Sequence, residues 1–331
     1  MNRRVFMTGL GAMLATPLGA GAQQAGKVRV IALVFSTSPV SEMVGAEPAH
    51  PLVRALVHGL RDLGWVQGQN LTIEARSAEG HPERFPAIFA ELVTRKVEVI
   101  VTSGGAVRAV RDAQRATRTI PIVFYGPRDP VEAELVASLA RPGANTTGMT
   151  GPPGHGVVSK RIVLLKEIAP RTTRIAWLRP GPIFPDDAVR DAETHGLTLV
   201  LAKVENVDQY EQAFAAVLRE RADALYVDDT GHNYVHAARI AAFAAQHRLP
   251  AIYGERESVE AGGLTSYGTD ISASFRRLAS YVDRILKGIH PRDIPIERPT
   301  TFEWVINLKA AKALGLTIPP SLLLRADQVI E

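Results

Sequence analysis

The chain contains one local pattern twice. Each copy has an apolar run of strand length, a polar loop, an alanine-rich helical stretch and a second apolar run that ends in Tyr-Gly. The first copy spans residues 97–126 and the second spans residues 223–254. The final glycines, Gly126 and Gly254, are 128 residues apart (254 − 126), a separation about the size of one small domain. The repeat therefore predicts two similar α/β lobes with a cleft between them.

Outside the repeat, apolar runs of strand length alternate with helical stretches along most of the chain. This alternation predicts βαβ units, parallel sheets and right-handed connections. The predicted strands cover residues 27–35, 71–75, 97–101, 120–124, 174–178, 197–200 and 224–227. The predicted helices cover residues 52–63, 82–94, 106–115, 130–139, 157–168, 210–218, 274–286 and 308–314.

The last third of the chain departs from the repeat. A short strand is predicted between glycines at 262–268, and a strand edge is predicted at 294–296. The run at 145–154, rich in glycine, proline and threonine, is the best candidate for a boundary between lobes. Because further elements follow the second lobe, we expect the tail to cross back to the first lobe and to form a hinge of several segments.

The first 22 residues have the three parts of a cleaved signal peptide. Arg3 and Arg4 supply the positive charge, residues 5–18 form a short apolar stretch, and residues 20–22 (Ala-Gly-Ala) form a cleavage site. The start also resembles a twin-arginine signal, so both export routes stay open. Since the sequence contains no cysteine, we expect no lipid anchor and no disulfide. These features predict a soluble periplasmic protein.

The net charge argues against nucleic acid as a partner. The formal charge is +4, and loss of the two leader arginines leaves +2 (4 − 2). So small an excess, without a localised basic run, does not favour nucleic-acid binding.

Candidate ligand-binding residues follow the predicted strands, because parallel sheets bind ligands at the carboxyl ends of their strands. Ser103, Gly104, Gly105 and Ala106 form the sharpest candidate, since small residues and free amides at a helix N-terminus favour an anion. The same glycines would also suit a plain turn. The other candidates in equivalent loops are Ser36, Thr37, Tyr125, Arg128, Asp129, Arg179, Asp228, Asp229, Tyr253, Arg256 and Tyr267.

Each of these residue types suits a particular chemical role in a binding site. Asp228 and Asp229 would hold an ammonium or hydroxyl group, or would cap the following helix. The arginines are candidate charge partners, and the tyrosines are stacking or polar groups or strand-end packing. We expect the loops at 103–105 and 228–229 to lie on opposite walls of one cleft.

The sequence favours binding over catalysis. It has no Gly-x-Ser-x-Gly, no Walker phosphate loop, no Gly-x-Gly-x-x-Gly after the first strand and no His-Glu-x-x-His. His232 and His236 are four residues apart and could be drawn as a metal site with Asp228, but a solvated helix face is the preferred interpretation. We therefore expect no catalytic residues, no metal and no cofactor.

Five segments carry a resemblance to a known family. They are residues 59–70, 120–124, 129–148, 260–268 and 307–315. These segments resemble the solute-binding proteins of ABC transporters related to tryptophan and tyrosine binders. The resemblance implies a type I periplasmic-binding fold, in which two Rossmann-like lobes close on a ligand and the closed form docks on a membrane permease. The segment at 36–51 is longer than in the family pattern, so the ligand is left open.

Together these observations predict an α/β protein with two lobes and parallel sheets. Lobe 1 would comprise residues 27–147 plus about 268–297, and lobe 2 would comprise residues 148–267 plus about 298–331. We expect a monomer that captures a small polar, amino-acid-like or aromatic molecule and delivers it to an ABC permease. The alternatives are a sensory module that presents the ligand to a membrane receptor, and an exported enzyme using Asp228, Asp229 and the histidines.

Overall fold

The structure is a computed structural model that describes residues 28–104, 106–151, 156–181 and 184–331. The predicted signal peptide at 1–22 and Gly105 of the candidate site lie outside the described residues. Among the described helices, none combines the length and the apolar character that a membrane crossing requires.

The first sheet has five parallel strands in the order β2-β1-β3-β4-β5 within the described residues. Because helices cover both faces of such a sheet, its strands are apolar almost throughout, and every residue of the third and fourth strands is buried. The strands are β1 Arg29–Phe35, β2 Leu71–Ser77, β3 Val99–Ser103, β4 Ile122–Tyr125 and β5 Thr146–Met149. The connecting helices are α1 Pro51–Asp62, α2 Phe85–Thr94 and α3 Ala106–Ala116.

The second sheet has seven described strands in the order β12-β11-β10-β9-β8-β6-β7. All neighbours pair in parallel except β10 and β11, which are antiparallel. The strands are β6 Arg174–Arg179, β7 Thr198–Lys203, β8 Ala224–Val227, β9 Ala251–Tyr253, β10 Thr265–Thr269, β11 Phe302–Asn307 and β12 Gln328–Ile330.

Helices separate these strands along the chain. They are α4 Val157–Ile168, α5 Asp186–Thr194, α6 Tyr210–Arg219, α7 Gly231–Val235, α8 Ala237–Gln246, α9 Arg256–Glu260, α10 Ile271–Leu286, α11 Leu308–Ala313 and α12 Pro320–Leu323. Short 3-10 turns occur at Val40–Glu42, Pro82–Arg84, Val207–Gln209 and Pro291–Asp293.

The tail crosses between the sheets, as the sequence predicts. Helix α10 follows the second sheet's β10 but packs on α1 of the first lobe, where Phe275 and Leu278 join the core. The chain then runs beside β5, where Glu297 forms an isolated parallel bridge with Met149, before it enters β11 of the second sheet. The lobe boundaries near 147 and 268 stay a proposal.

The helix predicted at 130–139 is wrong. Backbone hydrogen bonds close one turn after Asp129, and Glu134 then adopts φ 55°, a left-handed conformation that ends a helix. The apolar spacing that suggested a helix has another cause, because Leu135 and Val136 reach into a small core beside Phe124.

The strands β5, β11 and β12 were not predicted, and the strand edge at 294–296 does not form. Strand β5 lies inside the run interpreted as a boundary. The strand needs a glycine at Gly148, because this residue has φ 151° and a side chain there would overlap the backbone of Phe124.

The contact between α1 and α10 depends on Gly59, and this gives a stability test. A Cβ at Gly59 would lie 2.8 Å from both Ala279 Cβ and the Arg276 carbonyl oxygen. Gly59→Ala gains about 1 kcal/mol of helix propensity, but overpacking costs about 1–3 kcal/mol. We expect a net loss of about 1 kcal/mol in urea unfolding.

The exposed Ala90→Gly in α2 is the matched control, because it measures the propensity difference alone. If Gly59→Ala stabilised the protein by the amount that Ala90→Gly destabilises it, the close packing of α1 on α10 would be contradicted.

Candidate functional site

A cavity of about 370 Å³ lies between the carboxyl ends of the two sheets. Strands β1, β3 and β4 end at its first wall, and β8, β9 and β10 end at its second wall. Its lining from the first lobe and α10 includes Phe35, Ser36, Thr37, Ser38, His50, Ser103, Gly104, Tyr125, Gly126, Arg128 and Ile271. Its lining from the second lobe includes Asp229, Thr230, Gly231, His232, Tyr234, Gly254, Glu255 and Thr269.

The two lobes touch each other directly at the rim of this cavity. Thr37 Oγ1 donates a hydrogen bond to the Gly231 carbonyl oxygen at 3.1 Å. Arg128 Nη2 lies 3.3 Å from Asp228 Oδ1 on the opposite lobe. The lobes also approach closely at Gly231, where an added Cβ would lie 3.1 Å from Ser36 Oγ. The structure therefore shows the lobes in a closed arrangement.

The first wall is built from the ends of β1 and β3. The parallel register places Phe35 beside Ser103 and Ser103 beside Tyr125, so the loops that follow them meet at one edge. Gly104 has φ 72°, and a side chain there would overlap Ser36 Oγ. Glycine is therefore required by geometry at Gly104, and the loop presents backbone and hydroxyl groups to the cavity. Helix α3 begins at Ala106, directly after this loop.

The second wall contains a buried ion pair that the sequence did not reveal. Arg161 in α4 is buried, and its Nη1 and Nη2 donate to the two Asp229 carboxylate oxygens at 2.7 and 3.0 Å. The same guanidinium donates to Tyr226 Oη and to the Tyr267 carbonyl oxygen. Burial opposes the charge, but the Asp229 carboxylate and the Tyr226 hydroxyl together outweigh burial and raise the pKa of Arg161 above its ordinary range.

The two aspartates on this wall are therefore already paired. Asp229 is held by Arg161, and Asp228 faces Arg128 and accepts a hydrogen bond from the Asp229 amide. The alternative role of capping the following helix is wrong, because Thr230 Oγ1 accepts the hydrogen bond from Asn233 N that caps α7. Gly254 is required beside this network, since a side chain there would overlap the Asp229 carboxylate.

Several residues that line the cavity carry a buried polar atom without a hydrogen bond of normal geometry to any described residue. These atoms are Tyr125 Oη, Thr269 Oγ1, Tyr234 Oη, His50 Nδ1, His232 Nδ1 and Glu255 Oε2. The Tyr125 and Thr269 hydroxyls are close neighbours without such a bond. Since an unpaired buried polar atom is costly, a cavity with this many is suited to a polar ligand.

One side of the cavity is aromatic. The His50 ring contacts Phe35 edge-on at 5.2 Å between centroids and stacks on Tyr234 at 5.9 Å. Burial lowers the pKa of His50 to about 4, so the imidazole is neutral at pH 7, and its Nε2 lies 2.9 Å from Ser38 Oγ. We call Phe35, His50 and Tyr234 the aromatic face. The sequence did not predict His50 or Tyr234 as site residues.

Two predicted charge partners lie outside the cavity lining. The Arg179 guanidinium lies 4.8 Å from the centre of the Trp177 ring and also covers Phe184. Arg256 Nη1 donates to Glu303 at 2.8 and 3.0 Å. These aromatic and carboxylate neighbours on the second lobe account for both positions, so the expected placement of the two arginines at the cleft is wrong.

Three further candidates also lie away from the cleft. Asp129 accepts hydrogen bonds from the amides of Val131 and Glu132 and so caps a turn. Tyr253 points to the other side of the second sheet, into the core that contains Leu225. Tyr267 stacks on Phe302 at 5.6 Å. Of the two Tyr-Gly endings in the repeat, Tyr125 lines the cavity and Tyr253 packs in the core.

The histidine pair does not lie on a solvated helix face. His232 lines the cavity, while His236 packs edge-on against Tyr210 at 4.8 Å and separates α7 from α8. Within the described residues, no group of three or more metal-ligating side chains is placed to hold an ion.

Comparison with known proteins places this geometry in a family. The model of the family described as "ABC transporter substrate binding protein" matches residues 39–330. The tyrosine-binding protein of Clostridioides difficile (strain R20291) is 24% identical over 282 residues, which are 84% of this chain and 80% of that protein.

Two solved structures show the same architecture. A conserved domain protein from Vibrio cholerae O1 biovar El Tor has a TM-score of 0.77 and 27% identity, over 92% of this chain and 100% of that chain. An ABC domain from Streptococcus pneumonia in complex with L-Trp has a TM-score of 0.76 and 25% identity, over 91% and 99%. The predicted fold class of two α/β lobes is confirmed. Since the family model covers almost all of the described residues, the chain belongs to the ABC transporter substrate-binding protein family.

Proposed function

We propose that this protein is a periplasmic solute-binding protein that closes its two lobes on a small amino-acid-like molecule and delivers it to an ABC permease. The observation that carries the proposal is the cavity between the carboxyl ends of the two sheets, which is enclosed by contacts between the lobes. Several of the residues that line it have a buried polar atom without a hydrogen-bond partner among the described residues. The volume of the cavity falls within the range of about 300–1,000 Å³ that is usual for small-molecule sites.

The lining favours a ligand with an aromatic or otherwise flat apolar part. The aromatic face offers ring edges and a neutral imidazole, which suit stacking and edge-on contacts. Two relatives support this choice, since the C. difficile protein is named for tyrosine and the S. pneumonia structure holds L-Trp. On this basis the probe ligands are L-tyrosine and L-tryptophan.

The first wall would receive an anionic group such as the ligand carboxylate. Ser36, Ser103 and Thr37 place hydroxyl groups there, and Gly104 brings the backbone close to the cavity. Hydroxyl and amide donors are the groups that bind a carboxylate without a full countercharge. This extends the expectation drawn from the strand-to-helix loop after β3.

Ligand binding would then act by shifting a population of open and closed forms. A ligand that touches both walls gains contacts that exist only when the lobes are closed, and this difference sets how far closure can shift. The closed form is the state that a permease would select. Export agrees with the leader-like first 22 residues and with a family that works outside the cytoplasm.

The proposed function is tested first by ligand-induced stabilisation. Because a ligand bound only to the native state stabilises it by mass action, L-tyrosine or L-tryptophan at about 100 times its dissociation constant should add about 2.7 kcal/mol. Differential scanning fluorimetry would show this as a higher Tm, and chromatography of the released compound should return it unchanged. Conversion of the compound by the protein would favour the enzyme alternative and contradict the proposal.

Closure is tested by Gly231→Val. The added side chain would press on Ser36 and Thr37 only when the lobes are closed, because its neighbours lie on the opposite lobe. We expect an unchanged Tm without ligand and the loss of most of the stabilisation by L-tyrosine or L-tryptophan. The control is Ala215→Val on the exposed side of α6. Full stabilisation of the Gly231→Val protein would contradict closure at this contact.

The contribution of the ion pair between the lobes is tested by Arg128→Gln. Arg128 is 40% exposed on its side chain, so solvent weakens its pairing with Asp228. We therefore expect a modest loss, about fivefold in affinity by isothermal titration calorimetry. Arg95→Gln is the control, because Arg95 follows the last residue of α2 and pairs with Glu91 of the same helix, away from the other lobe. Equal effects of the two substitutions would show that the Arg128 contact has no specific role in closure.

A further inference from the structure

Three carboxylates lie together at the second wall, and only two have an arginine. Asp229 is paired with Arg161 at 2.7 Å, and Asp228 is paired with Arg128 at 3.3 Å. Glu255, the last residue before α9, forms no ion pair with any described residue within 4.0 Å. With all three carboxyl groups ionised, the wall carries one negative charge more than its two arginines balance.

Glu255 is positioned to face the ligand. It lines the cavity, its side chain is buried with the residue 4% exposed, and Oε2 has no hydrogen-bond partner among the described residues. Gly254 precedes it at the end of β9, so its backbone is fixed beside the Arg161–Asp229 pair. An ionised carboxylate at such a place is costly unless a cation joins it.

The charged and titratable groups around Glu255 do not supply that cation. Asp228, Asp229 and Glu257 repel its charge, while the Arg161 guanidinium attracts it but is committed to Asp229. The hydroxyls of Tyr125 and Tyr234 are the nearby neutral groups. Burial first, and the Asp229 carboxylate second, raise the pKa of Glu255 well above its usual range.

We propose that Glu255 is the residue that receives a cationic group of the ligand, a primary ammonium in an amino-acid-like molecule. This rests on the proposed function, and it names Glu255 instead of Asp228 or Asp229 as the specificity-determining acid. The ammonium supplies the countercharge that the wall lacks. Closure is therefore favourable on a ligand that has this group and unfavourable on a ligand with an uncharged group in its place.

The same arrangement makes protons compete with the ligand. The ammonium needs the ionised carboxylate, whereas the raised pKa of Glu255 favours its protonated form when no cation is present. Affinity is therefore highest above that pKa and falls as the pH is lowered through it, by at most about tenfold per pH unit for one proton. The pH range in which the affinity changes lies above 4.5, the ordinary pKa of a glutamate side chain.

The experiment compares Glu255→Gln with the wild type on matched probes. L-Tyrosine and L-tryptophan carry the ammonium, while 3-(4-hydroxyphenyl)propionate and indole-3-propionate lack it. By calorimetry we expect Glu255→Gln to weaken binding of the two amino acids on the order of thirtyfold or more. Binding of the two deaminated probes should change by less than about threefold, which also shows that the variant is folded.

Glu193→Gln is the control, because this carboxyl in α5 is exposed and does not line the cavity. It should bind all probes as the wild type does. Lowering the pH from about 8 to about 5 should weaken L-tyrosine binding by the wild type. The affinity of Glu255→Gln for L-tyrosine should change little over the same range.

The outcomes separate this inference from the proposed function. If the wild type binds L-tyrosine or L-tryptophan and Glu255→Gln binds it equally well, the role of Glu255 is overturned and the binding function stands. Equal wild-type affinity for the amino acids and the deaminated probes would overturn it too. If the wild type binds none of the four probes, both the proposed ligand class and the role of Glu255 fail.

Discussion

The buried ion pair between Arg161 and Asp229 is the interaction on which the binding cleft depends. It crosses from α4 to the loop after β8 and also fixes Tyr226 and the backbone of Tyr267. Removal of one partner from such a pair costs about 3–5 kcal/mol, because the other charge stays buried alone. Gly254 and Gly268 leave the space that this network occupies. The second wall is therefore held together by contacts that do not involve a ligand.

The cleft itself follows from the topology of two parallel sheets whose carboxyl ends face one another. The segments that cross between the lobes hold the two sheets in this arrangement. Helix α10 leaves the second sheet and packs on α1 at Gly59, and so it ties the lobes together. The closed contacts at Thr37 and Arg128 are few and partly exposed. Weak contacts of this kind allow a ligand to decide whether the lobes close.

The repeated pattern was sufficient to predict the two α/β lobes and the order of most elements. It succeeded because buried parallel strands are apolar throughout and because loops after such strands converge. The helix at 130–139 was wrong since apolar spacing does not reveal a left-handed residue such as Glu134. Strand β11 was missed because its position depends on pairing with β10.

The chemistry of the second wall was harder to predict from sequence. Arg161 lies in an otherwise helical segment, where an arginine usually faces solvent, and its partner is 68 residues away. Asp228 and Asp229 looked free because their arginines come from distant elements. His50 and Tyr234 of the aromatic face come from different lobes, so no local sequence pattern predicts their contact. A charge balance over the folded wall was needed to separate Glu255 from its neighbours.

Native mass spectrometry of the exported, folded protein after incubation with a mixture of free amino acids tests the central claim most directly. One amino-acid molecule should bind per chain, and it should be released chemically unchanged when the protein is denatured. A protein that retains nothing from the mixture, or that releases an altered molecule, would contradict the account of a cleft built to hold a ligand.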